Sequence, residues 1–108
     1  MKMAAWSIKT GAKHQGSLHE LKIWPEFFQA VLTGKKTHEI RVNDRNFKAG
    51  DVLWLRYFDP NKDAYSGDSL FCDLTYVSLG GEWGIPDDIA VLSIRHNPDL
   101  ALSYLAKN

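Results

Sequence analysis

Cysteine is nearly absent from this chain: Cys72 is the only one in 108 residues, which excludes an intramolecular disulfide and any zinc site built on thiolates. A reducing compartment follows as the expectation, and the protein is expected to be cytoplasmic. Excess charge of either sign is absent too. Lys plus Arg and Asp plus Glu number 13 each, so no global field draws the chain onto DNA or an anionic membrane, and any polyanion has to be met by a local patch. No stretch has the apolar length of a signal-peptide core or of a membrane-spanning helix, so no membrane partner is expected. The histidines at 14, 19, 38 and 96 show neither an HExxH motif nor helical i, i+4 pairing; no metal is expected, nor any other cofactor.

What is present suits one small globular domain. Residues 1–17 mix Gly, Lys, Ser and Gln and read as a loose lead-in, with a short strand at "AAWSI"; residues 18–108 read as a single domain. "LHELKIW" sets Leu18, Glu20 and Lys22 against His19, Leu21 and Ile23, a strand pattern that stops at Trp24-Pro25. Pro25 suits a first helical position. "PEFFQAVLTG" then places Phe27, Phe28, Val31 and Leu32 on one stripe, with Gly34 where a left-handed C-terminal cap belongs.

"THEIRV" alternates strictly, and Ile40 and Val42, with His38, predict the buried face; Glu39 and Arg41 then point together away from the core, with Lys36 leaning over the same side. "DVLWLRYF", "SLFCDLTYVS" and "IAVLSIR" read as further strands, the first ended by Asp59, Pro60, Asn61, Ser66 and Gly67. Asn97-Pro98 suggests an N-cap and first turn for a terminal helix "DLALSYLA". The fold class is therefore α+β and mostly β: a small, strongly bent sheet or barrel of about five strands, with one short helix after the first strand and another at the C-terminus. With one helix between strands, a doubly wound sheet is a poor fit.

Positive charge is gathered in one place. Gly34 to Asp51 holds Lys35, Lys36, Arg41, Arg45 and Lys48, whereas Val52 to Arg95 holds three cations against seven acids. Charge segregated in this way gives a neutral protein a basic face, and a few Lys and Arg on phosphates are the usual source of nucleic-acid affinity. A carboxylate two residues from an arginine on one strand face can hold the guanidinium by a charge-assisted hydrogen bond, so Glu39 is the candidate orienter of Arg41. Lys36 can meet a phosphate as a point charge or, desolvated, act as a base. Asn43 and Asp44 read as turn formers, and Lys48 with Gly50-Asp51 as the turn into the next strand. Arg45 is a plausible edge of the basic face. Among the aromatics, Trp54, Phe58 and Phe71 sit in strand runs and predict core; Trp83, in a Gly-rich loop, is the stacking candidate for a base.

Gly34, Lys36, Glu39 and Arg41 spell G-x-K-x-x-E-x-R, which resembles the signature of ASCH domains, small β-barrels related to the PUA RNA-binding fold. "HELKIWPEFFQAVLTGKKTHEIRVNDRNFKAGD" and the later "AVLSI" look like the DUF3850 family, an uncharacterised ASCH-like group, and the likeness runs from His19 to about Arg95. The resemblance implies an RNA- or nucleotide-binding module with its cleft beside Thr37 to Val42, held by Lys36, Glu39, Arg41, Arg45 and Trp83. Some ASCH relatives are amidohydrolases that use a lysine and a threonine on modified cytidine. Here Glu39 stands in the threonine's place, so the alternative, a small amidohydrolase or ribonuclease, would rest on Lys36 and Glu39 as an acid/base pair, with Glu82 or Asp87 as a second carboxylate. A third reading is a protein-interaction module whose cationic face meets an acidic partner.

Overall fold

The computed structural model describes residues 16–105; the strand expected at "AAWSI" lies outside them. Five strands and two helices follow in the order β1 (Leu18–Ile23), α1 (Pro25–Leu32), β2 (His38–Val42), β3 (Val52–Asp59), β4 (Ala64–Leu79), β5 (Ile89–His96) and α2 (Leu100–Tyr104). β1 alternates as its sequence demands, with His19, Leu21 and Ile23 buried and Leu18, Glu20 and Lys22 exposed. α1 starts on Pro25, whose missing N–H would have no partner there in any case. Of its expected stripe only Phe28 and Val31 are buried, while Phe27 and Leu32 remain 43% and 42% exposed; a two-turn helix laid over a curved sheet covers only a narrow line. Gly34 takes φ +80° with its N–H on the Val31 carbonyl, and a Cβ there would meet nothing, so backbone conformation alone asks for glycine.

Two boundaries differ from the sequence expectation. The turn after β3 is confined to Pro60–Asp63, and β4 already begins at Ala64. Ser66 and Gly67 lie inside the strand instead: Gly67 sits at φ +102°, Ser66 Oγ accepts from Asp68 N, and the β3/β4 register shifts between Arg56 and Phe58. Turn-forming residues here accommodate a kink in a long strand rather than ending it. At the C-terminus, Asn97 Oδ1 accepts from Asp99 N, and the helix proper starts at Leu100 with Asp99 as its cap.

The strands form one sheet in the order β1-β3-β4-β5-β2. β1 and β3 are parallel, and the remaining neighbours are antiparallel. The sheet curls into a half-barrel around Leu53, Leu55, Cys72, Leu74, Ala90 and Leu92, all at most 1% exposed. Phe28 of α1 closes the Ile23 end, edge-on to Tyr57 at 5.1 Å, and Phe47 closes the opposite end against His19 at 4.7 Å. On the outer side, Trp54, Phe71 and Tyr104 stack in sequence, the last carried by α2. Because β1 and β2 are the two edges, the half-barrel has a seam between them, and that seam positions the site. Among the described residues no helix is long and apolar enough to cross a membrane.

Candidate functional site

β2 is turned over relative to its sequence pattern. Glu39 is 5% exposed, whereas Ile40 and Val42 are 60% and 53% exposed. Pairing with β5 sets this: Glu39 lies opposite Leu92 and Arg41 opposite Ala90, both core residues, while Ile40 pairs with Val91 and Val42 with Ile89 on the outer face. Because side chains alternate, a shift of one residue would exchange the two sets entirely. Apolar β-branched residues usually choose the core, but here they form cross-strand pairs outside. The inner face at this edge is polar because the sheet is open there, and Glu39 enters it already paired with two cations. The expectation that Ile40 and Val42 face inward and that Glu39 and Arg41 stand outside the barrel is thus reversed.

The convergence of Lys36, Glu39 and Arg41 holds. Lys36 Nζ donates to Glu39 Oε2 at 2.8 Å and to the His38 carbonyl. Arg41 donates to Glu39 Oε1 through Nε at 3.1 Å and Nη2 at 2.9 Å. Arg41 Nη2 also reaches across the seam to the Lys22 carbonyl at 2.8 Å, and Arg45 Nη1 reaches the Glu20 carbonyl at 2.7 Å. Arg41 therefore bridges two edge strands that share no ladder, and Arg45 does so from the loop just after β2. The carboxylate fixes Arg41 by charge-assisted bonds, while its outer nitrogen, Nη1, has no partner among the described residues, and Lys36 retains one N–H.

These groups border a cleft of about 370 Å³ at the seam, whose other wall is aromatic. Trp24 and Phe27, 49% and 43% exposed, stack on each other with ring centres 6.5 Å apart, and Lys36 Nζ lies 5.7 Å from the Phe27 ring centre. They arrive there because Trp24 caps α1 and Phe27 belongs to its first turn. Beneath the cleft, burial pushes the Cys72 thiol up to about 12, with the Glu39 and Asp73 carboxylates adding to the rise. That thiol is a protonated core group, not a nucleophile.

The remaining candidates separate. Arg45 joins the seam. Trp83 does not: it is 94% exposed at φ 52° on the tip of the loop between β4 and β5 and lines no described part of the cleft. Its loop meets the Val42 end of β2, where Asn43 N–H donates to the Asp88 carbonyl, while Lys36 precedes the other end. Glu82 and Asp87, in the same loop, likewise stay away from Lys36 and Glu39. The aromatics that line the cleft are Trp24 and Phe27, and a strand ending in an aromatic just before a proline-started helix is the sequence signal for them. Asp51 closes the turn from Lys48 as expected, its N–H donating to the Lys48 carbonyl at 3.0 Å, and it does more: it is 5% exposed and accepts from Ser17 N at 3.0 Å, His19 Nε2 at 2.8 Å and Lys48 N at 3.0 Å. No local motif announces that pair, because His19 and Asp51 meet only through the parallel pairing of β1 with β3. Among the described residues no cluster of His, Cys, Asp or Glu could hold a metal ion.

Comparison with known proteins places this arrangement. A phage protein, the "uncharacterized 12.9 kDa protein in GpA 3'region" of Escherichia phage P2, is 33% identical over 66 residues, 61% of this chain and 59% of its own length. The chain thus spans less than two thirds of that relative. The crystal structure of hypothetical protein PH0355 superposes with a TM-score of 0.55 over 74% of this chain and 99% of its own, at 14% identity, a likeness of fold alone. Residues 18–94, which contain every strand but the end of β5 and all of the Lys36, Glu39 and Arg41 constellation, match the domain of unknown function DUF3850, and the chain belongs to that family.

Proposed function

We propose that the protein binds a nucleotide, free or within single-stranded RNA, in the cleft at the seam. The observation that carries this reading is the pairing of an exposed aromatic wall, Trp24 and Phe27, with cationic donors on Lys36 and Arg41 that Glu39 holds in place but does not saturate. A base has an apolar face and an edge rich in acceptors, and a stack on such a wall contributes about 1–3 kcal/mol regardless of sequence. Lys36 and Arg41 offer donors only, so they suit a phosphate or the carbonyl-bearing edge of a base. At about 370 Å³ the cleft lies near the lower end of small-molecule sites, roughly 300–1,000 Å³, and suits one nucleoside rather than a duplex. The likeness to ASCH domains supports the same direction.

Turnover is less well supported. Both oxygens of Glu39 are already engaged by cations, and neither a hydroxyl nor a thiol nucleophile lines the cleft. The test is calorimetric titration of the full chain with guanosine and uridine monophosphates and with short single-stranded RNA, in several salt concentrations. Combined Lys36→Ala and Arg41→Ala substitution is expected to weaken binding at least about tenfold and to flatten its salt dependence by roughly one unit of slope. Unchanged affinity and slope in that variant would refute the reading.

A further inference from the structure

We infer that the seam holds two consecutive nucleotides of a single strand, with the first base stacked on Trp24 and Phe27 and the next nucleotide held by Arg45; this rests on the nucleotide reading above. The cleft does not end at Arg41. A second concavity, of about 380 Å³, continues along the seam, lined by Glu20, Leu21, Lys22, Arg41, Arg45 and Tyr65. The two compartments share Lys22 and Arg41. A ligand that fills both must therefore cross the Arg41 guanidinium at the midpoint, where a phosphodiester joining two nucleosides would lie, while the Lys22 ammonium sits over the Phe58 ring at 4.1 Å.

The spacing agrees. Arg41 and Arg45 donate to the carbonyls of Lys22 and Glu20, two residues apart on β1. Along an extended strand that is about 7 Å, close to the reach of one extended nucleotide step. Each arginine is anchored through part of its guanidinium, and each keeps N–H groups without a partner among the described residues. Charge agrees as well. Lys22, Lys36, Arg41 and Arg45 line the two compartments with Glu20 and Glu39; Glu20 is itself paired with Arg56 at 2.6 Å, and Asp44, outside the lining, lies 3.8 Å from Arg45 Nε. An excess of positive charge remains for the phosphates of a short strand.

The compartments differ in what they offer a base. The wall of the first carries the Lys36 ammonium 5.7 Å from the Phe27 ring centre, and its Trp24 ring is 49% exposed. In the second, Tyr65 already carries the Arg56 guanidinium 4.0 Å from its ring centre, with the Lys22 ammonium 5.8 Å away. The first base is thus the stacked anchor, and the second nucleotide is held chiefly through its backbone, so the site discriminates by strand length more than by the second base.

Calorimetric titration of the full chain with guanosine monophosphate, the corresponding 5′-phosphorylated dinucleotide and the tetranucleotide tests this. The dinucleotide is expected to bind at least about tenfold tighter than the mononucleotide, with less than about a threefold further gain for the tetranucleotide. Arg45→Ala should return the dinucleotide to near the mononucleotide affinity while leaving the mononucleotide within about twofold, and Arg45→Lys should restore part of the difference. Trp24→Ala should weaken both ligands about tenfold. A dinucleotide no tighter than the mononucleotide, or an Arg45→Ala variant that weakens both equally, overturns the two-nucleotide register while the one-nucleotide reading stands. Absence of binding by any nucleotide defeats both, as does preferential capture of a hexaglutamate control peptide. Thermal melts of each variant show whether a loss reflects unfolding instead.

Discussion

Two carboxylates are buried to the same degree in this half-barrel, Glu39 and Asp51, each 5% exposed, and they differ in what surrounds them. Asp51 is enclosed by groups belonging to the fold: two backbone N–H groups, from Ser17 and Lys48, and the His19 ring, which itself packs edge-on against Phe47. Its donors have nothing left to offer outside. Glu39 is enclosed by Lys36 and Arg41, whose side chains are 20% and 24% exposed and which keep donors toward a cleft. Burial alone therefore does not mark a functional acid. The distinction lies in whether its partners retain capacity facing an open volume.

The comparison breaks most clearly in Asp51→Ala. Two buried N–H groups and an imidazole lose their acceptor, and each unsatisfied group costs about 1–3 kcal/mol, so a total loss of about 3–5 kcal/mol is expected in urea unfolding. Nucleotide affinity of the folded fraction should not change. Glu39→Gln is expected to be milder for the fold, about 2 kcal/mol, because solvent reaches Lys36 and Arg41 and screens the charges left behind. It should, however, weaken nucleotide binding by about tenfold, since Arg41 loses the bonds that orient it. If the two substitutions affect stability and affinity in equal proportion, the division between a structural acid and a site acid is wrong.

The sequence showed the parts of this division unequally. Strand and helix positions were legible because alternation in "LHELKI", the Pro25 start and the Gly34 stop are local signals whose causes act within a few residues. The grouping of Glu39 with Arg41 was legible for the same reason, since alternate positions on one strand must share a face, and Lys36 just ahead of the strand is within reach of that face. Which face could not be read. Ile40 and Val42 carry the stronger apolar signal, and only the pairing with Leu92 and Ala90, together with the open seam, sends Glu39 inward. The His19 and Asp51 contact, and the approach of Trp24 to Lys36, depend on strand order, which no short stretch encodes.

A smaller effect follows from the reach of Glu39 into the core. Burial, then the charges of Glu39 and Asp73, hold the Cys72 thiol at about 12 against an ordinary value of 9.0. The folded chain therefore keeps a proton that the unfolded chain releases, so this contribution is fully present below about pH 9 and is lost as pH rises toward about 12. Tyr104, also raised by burial and then by Asp73, acts in the same direction at alkaline pH. Stability measured by urea unfolding between pH 8 and 11 should fall less steeply in Cys72→Ala than in the unsubstituted protein. Glu39→Gln removes one of the charges that raise the thiol, so its fall should end at lower pH and be smaller than in the unsubstituted protein, whereas Asp51→Asn should leave this alkaline limb unchanged.

The smallest effect is expected at the residue whose sequence context looked most suited to stacking. Trp83 is 94% exposed, and the loop that carries it is closed by backbone bonds, Gly81 N–H to the Ile85 carbonyl and Ile85 N–H to the Glu82 carbonyl, that do not involve its ring. Its φ of 52° is one that side chains other than glycine adopt at a cost. Trp83→Ala should change both stability, by less than about 0.5 kcal/mol, and nucleotide affinity very little. Trp83→Gly relieves the backbone but frees the unfolded chain, two opposing terms of similar size, so it too should stay within about 0.5 kcal/mol of the parent. Trp24→Ala, at a half-exposed ring placed on the cleft wall, should leave the melting temperature nearly unchanged while reducing affinity. A loss of binding in Trp83→Ala with none in Trp24→Ala would move the ligand to the β4/β5 loop and remove the seam from the account of function.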